Sequence, residues 1–175
     1  MDTVKVVIIG PESTGKSTLT KQLAEHFDAP YVPEYARTYL EESTKDGYDW
    51  EDLEAIAAGQ VIRVQEALKE KPRLLFCDTD LVTLHIWSLD KFDRPLPDIE
   101  KLLKEQKPHL YLLCKPDIDW QPDGLREDST RRTELFSWNA WMLESLQAKY
   151  CTVGGMGVAR FNSARKCVNQ FLAKR

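Results

Sequence analysis

The sequence has no long apolar run, no large excess of charge of one sign and no closely paired cysteines. Its longest early apolar run, Val6–Ile9, is far shorter than the about 18 residues of a membrane span and too short for a signal-peptide core. The 24 Lys and Arg residues nearly balance the 28 Asp and Glu residues, whereas nucleic-acid binding usually needs a strongly basic face. We therefore expect a cytoplasmic protein that binds neither membrane nor nucleic acid.

The few cysteines and histidines show no spacing typical of a metal or redox site. No CxxC pair occurs among the 4 cysteines, and the 3 histidines are scattered, so we interpret these cysteines as small buried apolar side chains. The hydrophobic fraction of 42% and the charged fraction of 30% are those of an ordinary folded protein. A length of 175 residues predicts one domain over residues 1–175.

Short β-branched and apolar stretches alternate with helical patterns, which is typical of parallel βαβ units. Strands are predicted near residues 4–9, 30–33, 74–77, 110–113 and 150–153. Helices are predicted near residues 17–27, 53–68, 81–87, 99–103, 131–149 and 161–174. Five strands with helices on both faces predict an α/β fold of three layers.

Residues 10–17, GPESTGKS, match the phosphate-loop pattern G-x-x-x-x-G-K-[ST] between the first strand and the first helix. The backbone amides of such a loop surround phosphate oxygens, and Lys16 adds a positive charge. Ser17 is the predicted Mg²⁺ ligand. The predicted ATP-binding residues in this segment are Gly10, Glu12, Ser13, Thr14, Gly15, Lys16, Ser17 and Thr18.

A carboxylate at the end of a neighbouring strand would complete the magnesium site. Asp78 directly follows the third predicted strand, and Asp80 stands two residues later. Both would lie at the carboxyl edge of the sheet, where α/β proteins bind ligands. Helix capping is the alternative role for each of them.

The class of phosphate-loop protein is narrowed by what the chain does not contain. A GTPase needs an N-K-x-D motif after a later strand, and the sequence has none. The stretch at about residues 33–72 is instead an insertion at the ligand edge, where small-molecule kinases hold the phosphoryl acceptor. We expect a kinase for a small molecule.

The insertion begins with an acid, an aromatic residue and a base. Glu34 is the first candidate for accepting the proton of the acceptor hydroxyl, and Asp78 is its competitor. Tyr35 and Arg37 are candidate substrate contacts, although Arg37 could equally form a surface salt bridge. Capping of a surface helix is the alternative role for Glu34.

A polar segment at about residues 115–132 is the predicted lid. Arg126 is the candidate that neutralises the transferred phosphoryl group, with Arg131 and Arg132 as further ATP contacts. Solvated charges at a helix start are the alternative. Trp120, Trp87 and Tyr35 could stack on a flat acceptor ring, or could belong to the core.

Several short motifs together resemble the ribosylnicotinamide kinase domain of NadR-type proteins. They are GPESTGKSTL, the E-Y-x-R of VPEYAR, Gly59-Gln60, DTDLVT, and W-x-x-D-G-L-R at residues 120–126, which contains Asp123. Asp123 is included among the expected substrate contacts. The chain departs from the NadR pattern in two ways. This sequence starts at the first strand of the kinase domain, and Pro33 stands where family members often have an aromatic residue before the glutamate.

The resemblance implies phosphorylation of the 5′-hydroxyl of nicotinamide riboside by Mg·ATP, within NAD salvage. It also implies a P-loop kinase fold with strand order 2-3-1-4-5, in which Asp78 lies next to Lys16. A nucleoside or deoxynucleoside kinase is the second interpretation, since VPE-x-x-AR is similar to those enzymes. A non-catalytic nucleotide-sensing module is the third. Whether the chain forms a homo-oligomer is left open by the sequence.

Overall fold

The computed structural model describes residues 2–105, 108–121 and 130–175. One parallel sheet has the strand order β2-β3-β1-β4-β5. Its strands are β1 (Val4–Ile9), β2 (Tyr31–Val32), β3 (Leu74–Asp78), β4 (Leu110–Cys114) and β5 (Tyr150–Val153). The predicted strand order and fold class are confirmed.

Helices cover both faces of this sheet. They are α1 (Lys16–His26), α2 (Tyr35–Glu42), α3 (Trp50–Lys69), α4 (Leu81–Phe92), α5 (Ile99–Glu105), α6 (Arg132–Ser145) and α7 (Val158–Leu172). One apolar core contains residues of α1 and α7, and the other contains residues of α2 to α6. Within the described residues, no helix is long and apolar enough to cross a membrane.

The central strand β1 contributes to both cores. Val6 and Ile8 pack in the core with α1 and α7, and Val7 and Ile9 pack in the other core. Successive side chains of a strand point to opposite faces, so a strand covered on both sides must be apolar throughout. This explains why the first strand reads as a nearly continuous apolar run.

The structure departs from the sequence prediction at α3 and α2. Helix α3 begins at Trp50, before the apolar repeat that starts at Leu53, because Asp49 and Asp52 form a reciprocal capping box. Helix α2 was not predicted as a helix of its own: it is short, and only Ala36 in it is buried.

The topology places the phosphate loop at the centre of the sheet edge. β1 lies between β3 and β4, so connections to its two sides diverge there and leave a crevice. Gly10 enters the loop with φ 142°, and a Cβ atom on it would lie 2.7 Å from the carbonyl oxygen of Cys114. Only glycine allows this close approach to the end of β4.

Candidate active site

The phosphate loop is held in shape by its own hydrogen bonds. The Thr14 hydroxyl donates to the carbonyl oxygen of Pro11 at 2.9 Å, and the Lys16 ammonium donates to the same oxygen at 2.9 Å. Gly15 has φ 73° and precedes α1, so the first amides of that helix face the loop. The arrangement forms an anion site from backbone donors, a helix N-terminus and one lysine.

A cavity of about 210 Å³ opens beside this loop. The phosphate loop and Thr18 form one wall, and Glu34 and Arg37 contribute from the start of α2. Helices α4 and α6 supply the remaining walls, with Trp87 and Asn139 among their lining residues. The predicted phosphate-binding residues and several predicted acceptor contacts therefore share one cavity.

Two carboxylates lie close to the phosphate-loop lysine. Glu34 retains some solvent contact, yet it is packed deeply enough that burial raises its pKa. The positive charge of Lys16 opposes this rise, and the negative charge of Asp78 adds to it. Burial also raises the pKa of Asp78, although a hydrogen bond from Ser17 opposes the rise.

Asp78 and Ser17 offer the oxygen donors that a magnesium ion prefers. Asp78 is 3% exposed, and its Oδ1 has no hydrogen-bond partner among the described residues. Among all the residues that the structure describes, no group of three or more His, Cys, Asp and Glu side chains is placed to hold a metal ion. Mg²⁺ needs few protein ligands when phosphates and water complete its shell, so this small oxygen set fits it.

Trp87 and Arg37, two predicted substrate contacts, belong to the walls of this cavity. The Trp87 indole donates to the Tyr48 hydroxyl at 2.9 Å, which fixes the ring. Arg37 lies 3.7 Å from Glu41 in an exposed i,i+4 pair, the alternative foreseen for it. Exposed pairs of this kind contribute little to stability.

Tyr35 does not line this cavity, and its role as a substrate contact stays a prediction. Its ring packs against α3, where a Cβ on Gly59 would lie 2.0 Å from Cε1 of Tyr35. The guanidinium of Arg63 covers the ring at 4.4 Å from its centroid. The Tyr35 backbone N–H donates to Gln60 Oε1 at 2.8 Å. Tyr35 thus anchors the start of α2, next to Glu34.

Asp80 also lies outside this cavity, where it makes other contacts, and its role as a substrate contact stays a prediction. It accepts from the Val82 N–H at 2.9 Å as the N-cap of α4 and from the Tyr111 hydroxyl at 2.7 Å. Thr79, between the two aspartates, has φ 73°. This left-handed residue breaks the strand alternation that would have placed Asp78 and Asp80 on one face.

The predicted lid is only partly described. Arg126 and Asp123 lie outside the described residues. The preceding segment lies against the phosphate loop, because the Gln121 N–H donates to Ser13 Oγ at 3.0 Å. Trp120 is half-buried, and its indole nitrogen has no partner within the described part of the chain.

The two arginines at the start of α6 differ in their contacts. Arg132 is buried and donates to the carbonyl oxygens of Glu12 at 3.2 Å and Ser13 at 3.0 Å. Arg132 therefore stabilises the backbone of the phosphate loop. Arg131 instead pairs with Asp90 at 2.7 Å and with Glu134 at 3.0 Å.

Several lining residues were missed by the sequence analysis. They are Thr83, Asp90 and Lys91 on α4 and Asn139 on α6. The three residues on α4 lie three or four positions from Trp87, on the same helix face. The prediction that Trp87 lies at the site could therefore have been extended to Thr83, Asp90 and Lys91. Asn139 carries no such signal, because its place in the cavity depends on how α6 packs against α4.

The sequence matches one family model and is similar to curated proteins. A family model described as "AAA domain" matches residues 5–160. The trifunctional NAD biosynthesis/regulator protein NadR of Escherichia coli (strain K12) is 31% identical over 153 residues, covering 85% of this chain and 37% of that protein. The chain spans about a third of the length of the curated relatives it matches. The resemblance to NadR-type proteins is confirmed.

Solved structures share the fold. A NadR protein in complex with NR superposes with a TM-score of 0.78 at 24% identity, covering 97% of this chain and 51% of that chain. A thymidylate kinase from Ehrlichia chaffeensis superposes with a TM-score of 0.62 at 13% identity, covering 98% and 100%. At these identities the likeness shows a common P-loop kinase fold.

Proposed function

The chain belongs to the AAA domain family and is similar to NadR-type proteins, and we propose that it is a Mg·ATP-dependent kinase of nicotinamide riboside. The product would be nicotinamide mononucleotide, a step of NAD salvage. One observation carries the proposal: the Glu34 carboxylate lines the same cavity as the phosphate loop, within electrostatic range of Lys16 and Asp78. A triphosphate and an acceptor hydroxyl can meet there.

The phosphate loop would hold the triphosphate. Its amides and the N-terminus of α1 face the anion, and Lys16 would exchange the Pro11 carbonyl for phosphate oxygens. Arg132 would support the loop during binding, because its guanidinium donates to the carbonyl oxygens of Glu12 and Ser13. Arg126 is our candidate for neutralising the transferred group.

Ser17 and the unpartnered oxygen of Asp78 would hold Mg²⁺. When bound, this ion neutralises phosphate charge. Its protein ligands lie on two different elements, the start of α1 and the end of β3, so the fold of the sheet edge sets their separation.

Glu34 would orient the 5′-hydroxyl and take its proton, with Asp78 as the other candidate. The hydroxyl oxygen forms a bond to the γ-phosphorus, and the bond from that phosphorus to the β–γ bridging oxygen breaks, releasing ADP. A carboxylate whose pKa is raised towards neutrality is a better proton acceptor than an ordinary one. Trp87 and Arg37 would hold the riboside, and Trp120 is a further candidate for stacking on its ring.

The comparisons support the choice of acceptor. The relative named for NAD biosynthesis shares 31% identity, and the structure with bound NR shares the fold. We further propose that residues 1–175 form one kinase domain, with an acceptor-binding insertion at about 33–72 and a lid at about 115–132.

The proposal is tested by acceptor-dependent ADP release from Mg·ATP with the purified chain. Nicotinamide riboside is offered beside ribonucleosides and deoxyribonucleosides, and Glu34→Gln and Asp78→Asn are compared under the same conditions. We expect turnover with nicotinamide riboside on the order of 1 s⁻¹ or faster. Preference for a deoxyribonucleoside would favour a deoxynucleoside kinase instead. Tight Mg·ATP binding without any turnover would favour a nucleotide-sensing module.

A further inference from the structure

The wall of the cavity formed by α4 and α6 contains a buried hydrogen-bond acceptor that nothing in the site described above uses. Asn139 on α6 is 2% exposed and lines the cavity. Its Nδ2 donates to the Leu135 carbonyl oxygen at 2.8 Å. Because that carbonyl can only accept, the contact fixes the amide orientation and leaves Oδ1 as the free end. Oδ1 has no hydrogen-bond partner among residues 2–105, 108–121 and 130–175.

A second buried polar atom lies on the facing helix. Thr83 on α4 lines the same cavity, and its Oγ1 is buried without a partner in the described part of the chain. Helices α4 and α6 pack against each other, so the two side chains belong to adjoining walls. Trp87 is one helical turn beyond Thr83 and lines the cavity beside it.

Buried polar groups in native proteins nearly always have partners, because an unsatisfied one loses its bonds to water. Two unpartnered groups on the walls of one cavity therefore point to a ligand. Asn139 Oδ1 needs a donor. The Thr83 hydroxyl can donate to an acceptor. A primary carboxamide supplies both, since its NH₂ group donates and its C=O group accepts.

We infer that Asn139 and Thr83 recognise a carboxamide on the acceptor's ring and reject the corresponding carboxylate. The inference rests on the proposed kinase function. The carboxamide NH₂ donates to Asn139 Oδ1, and the carboxamide oxygen accepts from the Thr83 hydroxyl. A carboxylate would place a negative oxygen against Asn139 Oδ1, with no proton between them.

The test compares nicotinamide riboside with nicotinic acid riboside as acceptors. The wild-type chain is expected to prefer the amide by at least about a hundredfold in kcat/KM, because a site built to hydrogen-bond a substrate group strongly rejects an analogue that leaves its buried groups unpaired. Asn139→Leu, which keeps the volume but removes the acceptor, should lower kcat/KM for nicotinamide riboside at least tenfold, mainly through KM. Its preference over the acid should fall below tenfold. Thr83→Val, an isosteric loss of the hydroxyl, should act in the same direction.

Ser137→Ala is the matched control, because Ser137 is exposed on the same helix and bonds only to the Thr133 carbonyl in the described structure. It should keep the wild-type preference. Binding of AMP-PNP with unchanged affinity would show that each variant is folded. A preference that stays unchanged in both Asn139→Leu and Thr83→Val would overturn the inference.

The inference and the proposed function fail in different ways. If the wild-type chain phosphorylates neither riboside, the kinase proposal fails, and carboxamide recognition is then judged by calorimetric binding of the two ribosides. Tighter binding of the amide that is lost in Asn139→Leu supports the inference. Equal binding of the two ribosides to the wild-type chain overturns it.

Discussion

We expect phosphate binding to depend more on Lys16 than on any other single side chain. Its ammonium rests on the Pro11 carbonyl, at the mouth of the loop, where a triphosphate would draw it away. Lys16→Ala should therefore lower kcat by about 10²–10³-fold, the loss seen when one donor to a developing charge is removed. Steady-state kinetics of ADP release measure this effect. Wild-type kcat in a folded Lys16→Ala variant would contradict the assignment.

The acid side of the pH profile should reflect Glu34 and Asp78. Burial raises the pKa of both carboxyls, and the negative charge of Asp78 further raises the pKa of Glu34. Since the base must be ionised, kcat/KM should fall as pH decreases, beginning above the ordinary glutamate pKa of 4.5. NMR titration of the side-chain carboxyls measures the same ionisation without turnover.

Asp78→Asn gives the control for this pH dependence. It removes the neighbouring negative charge that raises the pKa of Glu34, so the Glu34 titration should move to lower pH. A Glu34 titration that stays in place in Asp78→Asn would show that the two carboxylates do not interact.

At the residue scale, the sequence predicted the local motifs, but it did not predict which distant side chains lie at the cavity. The spacing in residues 10–17 predicted the phosphate loop, and the ends of β1 and β3 brought Lys16 and Asp78 together. Asp80 could not be placed, because the left-handed φ of Thr79 has no signature in a threonine. The cavity position of Asn139 depends on helix packing, which a single helix does not encode.

At the element scale, the contact between α2 and α3 positions the candidate base. The Tyr35 ring lies where a Gly59 side chain would be, and Gln60 holds the Tyr35 amide. Glu34 precedes Tyr35 directly, as the N-cap of α2. The missing side chain at Gly59 thereby fixes where α2 starts and where the Glu34 carboxylate lies.

Gly59→Ala should destabilise the protein, although alanine favours a helix by about 1 kcal/mol over glycine. The added Cβ would lie 2.0 Å from the Tyr35 ring, and overpacking of this kind costs about 1–3 kcal/mol. Urea unfolding measures the difference in free energy of unfolding. In a Tyr35→Ala background the same substitution should become neutral or stabilising, since the clash is gone. Stabilisation by Gly59→Ala with Tyr35 present would refute this packing.

Helix boundaries were less predictable than helix identities. The apolar repeat of α3 was visible from Leu53, but its first residues depend on the capping box of Asp49 and Asp52. In α2 the hydrophobic pattern is weak because only Ala36 is buried. Apolar periodicity therefore found the helices that cover the sheet and not the short helix at the mouth of the cavity.

At the scale of the whole molecule, the five strands could be counted from the sequence, since each is a short apolar run between helices. The order β2-β3-β1-β4-β5 was not encoded in those runs and came from the resemblance to a known family. The apolar residues of a strand indicate that the strand is buried, but they do not indicate which other strands it pairs with. That pairing depends on how the whole chain folds.

Nucleotide binding should stabilise the whole domain. A ligand that binds only the folded state adds about 2.7 kcal/mol at a hundredfold excess over its Kd. Mg·AMP-PNP should therefore raise the unfolding temperature of the wild-type chain, with a smaller rise in Lys16→Ala. Thermal unfolding followed by circular dichroism measures both. An unfolding temperature that does not change with nucleotide would contradict a phosphate site at residues 10–17.

The most direct measurement is the mass of the product formed when the purified chain is incubated with Mg·ATP and nicotinamide riboside. We expect the riboside to gain one phosphoryl group, in an amount equal to the ADP released, and we expect this product to be greatly reduced in Glu34→Gln or in Asp78→Asn. An unmodified riboside after prolonged incubation, with a chain that is folded and binds Mg·ATP, would contradict the proposed kinase activity.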